Sequence, residues 1–234
     1  MAAAPLDNRK PGHRPIRSFV LRQGRLTPAQ ARALESLWPK YGINWQAELF
    51  DWNAAFGRDA DLVIELGFGN GDALAQMAAA EPEKNFVGIE VHPPGVGSVL
   101  QKIEQQQLGN VRVISVDGID VLESMVADGC LSELRLYFAD PWPKKRHHKR
   151  RIVQPAFLDL LARKLRSGGR LHMATDWQAY AEHMLEVCQA HSAFQNVATD
   201  NSYIECPDWR PETHFERRGL RLGHGVWDLL YQCR

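Results

Sequence analysis

Apolar and polar positions change rhythm near residue 60. Before it, apolar residues recur at helical spacing: Ala33, Leu34, Leu37 and Trp38 would share one helix face. Thr27-Pro28-Ala29-Gln30 just ahead of them has the form of a helix start. Thr27 would be the N-cap, Pro28 takes the first helical position, and Gln30 completes a capping box. Pro39 is expected to end this helix. Trp45, Leu49, Trp52 and Phe56 predict a second short amphipathic helix over 45–56.

Beyond residue 60, short apolar runs alternate with helical patterns. Strands are predicted over 62–66, 86–91, 111–116, 134–139 and 170–174. An Ala-rich helix follows the first strand through a Gly-rich turn, and helices are expected near 96–107, 119–127 and 178–190. Another opens at Pro155, with Phe157, Leu158, Leu161 and Leu165 on its core face, and is expected to close at Gly168-Gly169. Residues 226–231 are the clearest strand of an antiparallel C-terminal hairpin. This alternation implies an α/β fold with a doubly wound, mostly parallel sheet. Residues 1–25 read as a flexible basic tail. Residues 26–234 read as a single domain with an N-terminal helical extension, about 26–58.

Ligands of such sheets bind outside the carboxyl ends of the strands, at the switch point. The first strand leads into Glu65-Leu66-Gly67-Phe68-Gly69-Asn70-Gly71. Glu90, Asp117, Asp140 and Asp176 stand at the ends of the next four. One acid at a strand end is commonly a helix cap or a solvated turn. Four on one rim are not explained that way. Glycines at 67, 69 and 71 let the backbone turn tightly and approach a ligand. Glu90, 23 residues after Gly67, can grip both hydroxyls of a ribose. A nicotinamide dinucleotide and S-adenosylmethionine both fit this pattern. Asp72 stands where a dinucleotide loop has its third glycine. Acids around the loop repel a pyrophosphate and suit a sulfonium with an ammonium group. Asp117 then suits the adenine amino group.

Charge adds a partner. The 28 basic and 28 acidic residues balance over the 234-residue chain. The balance hides a basic tail, six Lys/Arg against one Asp in residues 1–25, and the run KKRHHKRR at 144–151. Six cationic groups within eight residues suit a phosphate backbone, and small anionic substrates rarely need so many. Nucleic acid is the expected partner, with Trp142 available to stack on a base or ribose. Composition excludes other classes. With 44% hydrophobic and 24% charged residues, the chain is neither disordered throughout nor fibrous. No apolar run reaches the roughly 18 residues needed to span a bilayer. Cys130, Cys188, Cys206 and Cys233 are far apart and form no C-x-x-C pair, so no zinc or other metal site is expected. Spaced free thiols suit a reducing cytoplasm.

Together, ELGFGNG, GIEVH, ADPWPKKRHHKRR, ATDW and THFERRG, with RSFVLRQGRLT near the start, resemble the bacterial tRNA (guanine-N7-)-methyltransferase family. The resemblance runs from about residue 16 to the end. It implies a Rossmann-like class I SAM-dependent methyltransferase fold. The implied reaction carries the methyl group of S-adenosylmethionine to N7 of guanine 46 in the tRNA variable loop. Motif matching makes Glu65, Glu90, Asp117 and Asp140 cofactor-site residues, beside Gly67, Gly69 and Gly71. It makes Lys144, Asp176, Thr213, His214, Phe215 and Glu216 substrate-site residues. Arg146, His147, His148, Lys149, Arg150 and Arg151 become the RNA-contact segment. Asp140 is the candidate catalytic residue. Glu216, or Asp176 if the loops fold otherwise, is the candidate reader of guanine's pairing edge. His214 departs from the family's usual lysine, so a fixed positive charge there is not assured at neutral pH. The competing readings are a SAM-dependent methyltransferase for another RNA or a protein, a NAD-dependent dehydrogenase, and an RNA-binding module with a degenerate cofactor site. No obligatory protein partner is expected; the chain would act as a monomer or homodimer.

Overall fold

The computed structural model describes residues 18–19, 24–213, 216–217, 219, 223 and 225–234. Most of the expected basic tail, with residues 1–17 and 20–23, lies outside this set.

The helical extension begins as its sequence directs. In α1 (Pro28–Ser36), Thr27 Oγ1 accepts the Gln30 amide at 3.2 Å and Gln30 Oε1 accepts the Thr27 amide at 2.9 Å. Pro39 does not terminate the helical region. It sits in the first turn of α2 (Trp38–Tyr41), where a missing N–H leaves no bond unmade. The helix expected over 45–56 shrinks to α3 (Trp52–Phe56). Asp51 captures the start by accepting the Ala54 amide at 2.9 Å, and Gly57 at φ +67° closes the end. The extension also covers a sheet edge: Gly42 bridges Val113, and the Ile43 amide donates to Val113 O at 2.8 Å.

The remaining chain alternates as expected. It runs through β1 (Leu62–Leu66), α4 (Asp72–Ala80), β2 (Asn85–Ile89), α5 (Pro93–Gln105), β3 (Val111–Ile114), α6 (Gly118–Ser124) and β4 (Leu131–Tyr137). A 3₁₀ helix (Lys145–Arg150), α7 (Pro155–Lys164), β5 (Leu165–Thr175), α8 (Gln178–Gln189), β6 (Phe194–Asn196) and β7 (Trp227–Cys233) complete it. The seven strands form one sheet in the order β3-β2-β1-β4-β5-β7-β6. The first five are parallel, and β7 runs antiparallel between β5 and β6. The expected C-terminal pair is therefore present. It is joined by residues 197–226 rather than by a tight turn, and it includes the three-residue β6, too short to alternate visibly.

Neighbouring strand residues feed two cores. Val63, Phe86, Val111 and Val113 pack under α1, α4 and α5. Ile64, Leu66, Val87 and Ile114 pack under α6, α7 and α8. Period-two alternation with both faces covered is what a parallel sheet requires.

One boundary differs from expectation for a clear reason. Gly168-Gly169 do not close α7, which ends at Lys164; the chain enters β5 directly. Leu165 pairs with Leu131 and Arg170 with Glu133, so residues 166–169 bulge opposite Ser132 alone. Gly168 turns there at φ +78°.

Candidate active site

Between β1 and β4 the winding of the sheet reverses, and a cavity of about 390 Å³ opens at the carboxyl ends of the strands. It gathers Glu65, Gly67, Gly69, Glu90, Asp117 and Asp140, with Thr213 from the distant box.

The Gly-rich turn makes the floor. Gly67, Gly69 and Gly71 all have positive φ, at +73°, +61° and +77°. A chain alternating into left-handed conformation needs glycine at every second position, which accounts for the G-x-G-x-G spacing. Gly71 does not line the cavity. It caps α4, and a Cβ there would meet Val99 Cγ2 at 2.2 Å, so its task is to let α4 sit against α5.

Glu65 is buried, and its Oε2 has no hydrogen-bond partner among the described residues. Burial pushes its carboxyl up to about 8; Arg135 pulls the other way, and the charge of Glu90 adds to the rise. A buried carboxyl with an unbonded oxygen facing a cavity fits a cationic ligand group, which would favour its charged form. Glu90 is fixed by three backbone donors: Gly69 N at 3.0 Å, Val91 N at 2.7 Å and His92 N at 3.0 Å. These bonds tie the Gly-rich turn to the end of β2. Asp117 both lines the cavity and caps α6, accepting the Ile119 amide at 3.1 Å.

Asp140 is exposed at the cavity mouth and opens the Pro-rich loop. Trp142, at φ +46°, is half-buried and already engaged within the protein. Its indole N–H donates to Ser18 O at 2.8 Å, the Arg150 guanidinium lies 4.6 Å over its ring, and His147 meets it edge-on at 5.7 Å. Ser18 and Phe19 line the cavity, although their segment reads as tail in the sequence.

The basic run divides. Lys144, Lys145, Arg146 and Lys149 are exposed, while His147, His148 and Arg150 are half-buried. Arg151 is a correction: only 3% exposed, it does not face a partner. It donates to Pro141 O at 2.9 Å and Ala179 O at 3.3 Å and stacks over Tyr180. Lost hydration, with the charges of Arg146 and Arg150, holds His147 below its ordinary range.

The remaining substrate candidates also separate. His214 and Phe215 lie outside the described residues. Thr213 and Glu216 form a reciprocal capping box: Thr213 Oγ1 accepts the Glu216 amide at 3.1 Å, and Glu216 Oε2 accepts the Thr213 amide at 3.3 Å. The Glu216 carboxylate, expected to face a base, is instead gripped by Arg210 at 2.5 and 2.9 Å. Asp176 is half-buried in a separate open hollow of about 520 Å³, beside Trp177 and Trp227. A lone arginine in an irregular stretch carries no sequence signal, which is why Arg210 escaped notice.

Among the described residues, no group of three or more His, Cys, Asp or Glu could hold a metal ion, and no helix is long and apolar enough to cross a membrane.

Comparison with known proteins agrees with this geometry. Residues 59–229 match a family model described as "Putative methyltransferase". A tRNA (guanine-N(7)-)-methyltransferase of Alcanivorax borkumensis is 56% identical over 221 residues, covering 94% of this chain and 92% of the relative. The protein of the same name from Shewanella amazonensis is 54% identical, covering 94% and 92%. Among solved structures, the 16S rRNA methyltransferase KamB superposes with a TM-score of 0.56 at 16% identity, covering 82% of this chain and 98% of that one. An rRNA methylase of Streptococcus thermophilus gives 0.50 at 14%, covering 75% and 87%. These distant likenesses bear on the fold, which is that of class I methyltransferases. Relatives this close over nearly the whole length establish that the chain belongs to the tRNA (guanine-N(7)-)-methyltransferase family.

Proposed function

We propose that the protein transfers the methyl group of S-adenosylmethionine to N7 of guanine 46 in the variable loop of tRNA. One observation carries the reading: the buried Glu65 carboxyl, its Oε2 without a hydrogen-bond partner among the described residues, lies in a cavity whose mouth is Asp140, and the loop from Asp140 runs straight into the basic 3₁₀ helix. A site for a cationic methyl donor and a surface for a polyanion thus share one rim.

When bound, S-adenosylmethionine supplies an electrophilic methyl carbon on a sulfonium. Glu65 would answer its positive charge, Glu90 the ribose hydroxyls and Asp117 the adenine amino group. Gly67 and Gly69 would let the backbone approach the ligand closely. Guanine N7 carries a free lone pair at neutral pH, so no proton has to be removed before attack. Catalysis is then mostly alignment of N7, methyl carbon and sulfur. Asp140, at the mouth, offsets the charge that develops on the base. Asp176, at the end of β5, or Glu216, held by Arg210, would read guanine's N1–H and N2–H₂ edge. Lys144, Arg146 and Lys149 hold phosphates, as does Arg150 on its open side. Thr213 shapes the substrate wall. Reaching N7 in folded tRNA requires displacement of the base from its stack.

The test is methyl transfer from isotope-labelled S-adenosylmethionine to unmodified tRNA transcript, with nucleoside mass spectrometry. Labelled 7-methylguanosine, lost when guanine 46 is replaced, is the expected result. Cofactor binding with no label in tRNA would redirect the reading to another RNA or a protein.

A further inference from the structure

Arg210 lies in the connection between β6 and β7, and its side chain is completely buried. A guanidinium cut off from water must be matched by fixed acceptors. Here two carboxylates do so, each gripped by a two-pronged fork. Nε and Nη2 donate to Asp228 at 2.7 and 2.9 Å. Nη1 and Nη2 donate to Glu216 at 2.5 and 2.9 Å. Paired forks of this kind fix the plane of the guanidinium as well as its position.

Each carboxylate leads to a different wall of the cavity. Glu216 closes the capping box with Thr213, which lines the cavity. Asp228 is on β7, opposite Ala174 of β5. Its Oδ1 lies 2.9 Å from His172 Nε2, and His172 Nδ1 lies 2.8 Å from the Tyr137 hydroxyl. Burial lowers the basicity of His172 and keeps the Tyr137 phenol protonated. A neutral imidazole between a phenol and a carboxylate has one consistent arrangement: Tyr137 O–H donates to Nδ1, and Nε2–H donates to Asp228. Tyr137 ends β4 and lines the cavity three residues before Asp140. Arg210 also lies 6.0 Å from the Tyr137 ring and 5.8 Å from the Phe138 ring, itself a cavity wall. One buried cation therefore reaches the Thr213 side directly through Glu216, and the Asp140 side through both Asp228 and the aromatic pair.

We propose that Arg210 is a positioning residue for methyl transfer, setting the spacing between the Thr213 wall and the Asp140 end of the cavity. This rests on the reading of the cavity as the transfer site. Arg210 touches no reacting atom. It acts because a misplacement of about 1 Å at an aligned reaction costs on the order of 100-fold in rate.

Arg210→Lys keeps the charge and removes both forks. The expected result has two parts. In the full chain with tRNA, kcat falls about 100-fold, while the KM for tRNA and the calorimetric Kd for S-adenosylmethionine stay within about threefold. In the protein alone, amide hydrogen exchange quickens at 211–217 and at 138–140 together. A merely structural arginine would lower the melting temperature without splitting kcat from the binding constants. A kcat within about threefold of wild type, or faster exchange at 211–217 alone, overturns the proposal. Should Arg210→Lys fail to fold, Asp228→Asn carries the same test. It leaves Arg210 paired with Glu216, alters no residue of the cavity, and is expected to give the same rate loss and the same joint exchange; an unchanged kcat overturns the proposal equally. Wild-type protein that makes no 7-methylguanosine would refute the functional reading, and the exchange result would still decide whether Arg210 couples the two walls.

Discussion

Arg151 donates its Nε–H to the carbonyl of Pro141 at 2.9 Å, so the last residue of the basic run is a strut beneath the loop that begins with Asp140. Arg146, five positions earlier, is exposed. Two arginines of one charge run thus have different tasks. Arg146→Ala with Lys149→Ala should weaken tRNA binding and make its log–log salt dependence shallower by about 2. Arg151→Ala should leave that slope alone and lower stability by about 2–4 kcal/mol, since it strands two carbonyls and opens a void. Filter binding across a potassium chloride series, with calorimetric melting of each variant, separates the two. A flattened slope in Arg151→Ala alone would return that residue to the RNA surface.

Glu65 gives the protein a pH signature. Its carboxyl is raised from 4.5 to about 8 in the folded state, so the folded chain holds a proton that the unfolded chain has lost. Stability from this group is therefore complete below about 4.5 and declines as pH rises to about 8. Glu65→Gln should remove that decline from the melting profile of the ligand-free protein. Binding of a sulfonium ligand at pH 7 should release a proton from wild type and none from Glu65→Gln. Calorimetry in two buffers of different ionisation enthalpy reads this directly. Equal proton release from both proteins would show that Glu65 does not face the cation.

Asp140→Asn should keep affinity for cofactor and tRNA while slowing single-turnover transfer by about 100-fold or more. Charge near the developing cation matters only as transfer proceeds. Near-normal single-turnover rates would remove Asp140 from the chemistry.

Gly71→Ala should destabilise the chain for two separable reasons. Its φ of +77° costs an L-residue at least about 1 kcal/mol, and the new methyl would lie 2.2 Å from Val99 Cγ2. Adding Val99→Ala removes only the Cγ2 contact, since Val99 Cβ stays 2.5 Å away and the dihedral is unchanged, so the double variant should be less destabilised than the sum of independent effects. Strict additivity in thermal unfolding would show that the two side chains do not meet.

The parallel half of the sheet was legible because each buried strand is a short apolar run followed by a turn with its own chemistry. Leu62–Leu66 running into alternating glycines is the clearest case. The acids at the strand ends were legible because they share one rim. What escaped were properties that depend on distant partners. The basic run looks uniform in sequence, yet Arg151 is buried by Pro141 and Tyr180 while Arg146 is not. Glu216 is chemically suited to a base edge, and only the fold brings Arg210 to it. Trp142 looked open in sequence, but its indole N–H donates to the carbonyl of Ser18, 124 positions earlier. Segment 45–51 had helical spacing, but an N-cap at Asp51 is a local bond that periodicity does not count.

Ser18 and Thr213 line the same cavity, and nearly the whole chain runs between them. A folding intermediate with only the first four strands assembled would already carry Glu65, Glu90 and Asp117, and would lack both of these walls. On the proposed reading, the parts that would recognise a donor are local and early in the chain, whereas those that would enclose the reaction await long-range contacts. Donor affinity is thus a poor gauge of conformational integrity for this protein. Turnover would be a faithful one, since it reports whether Ser18 and Thr213, far apart along the chain, have met.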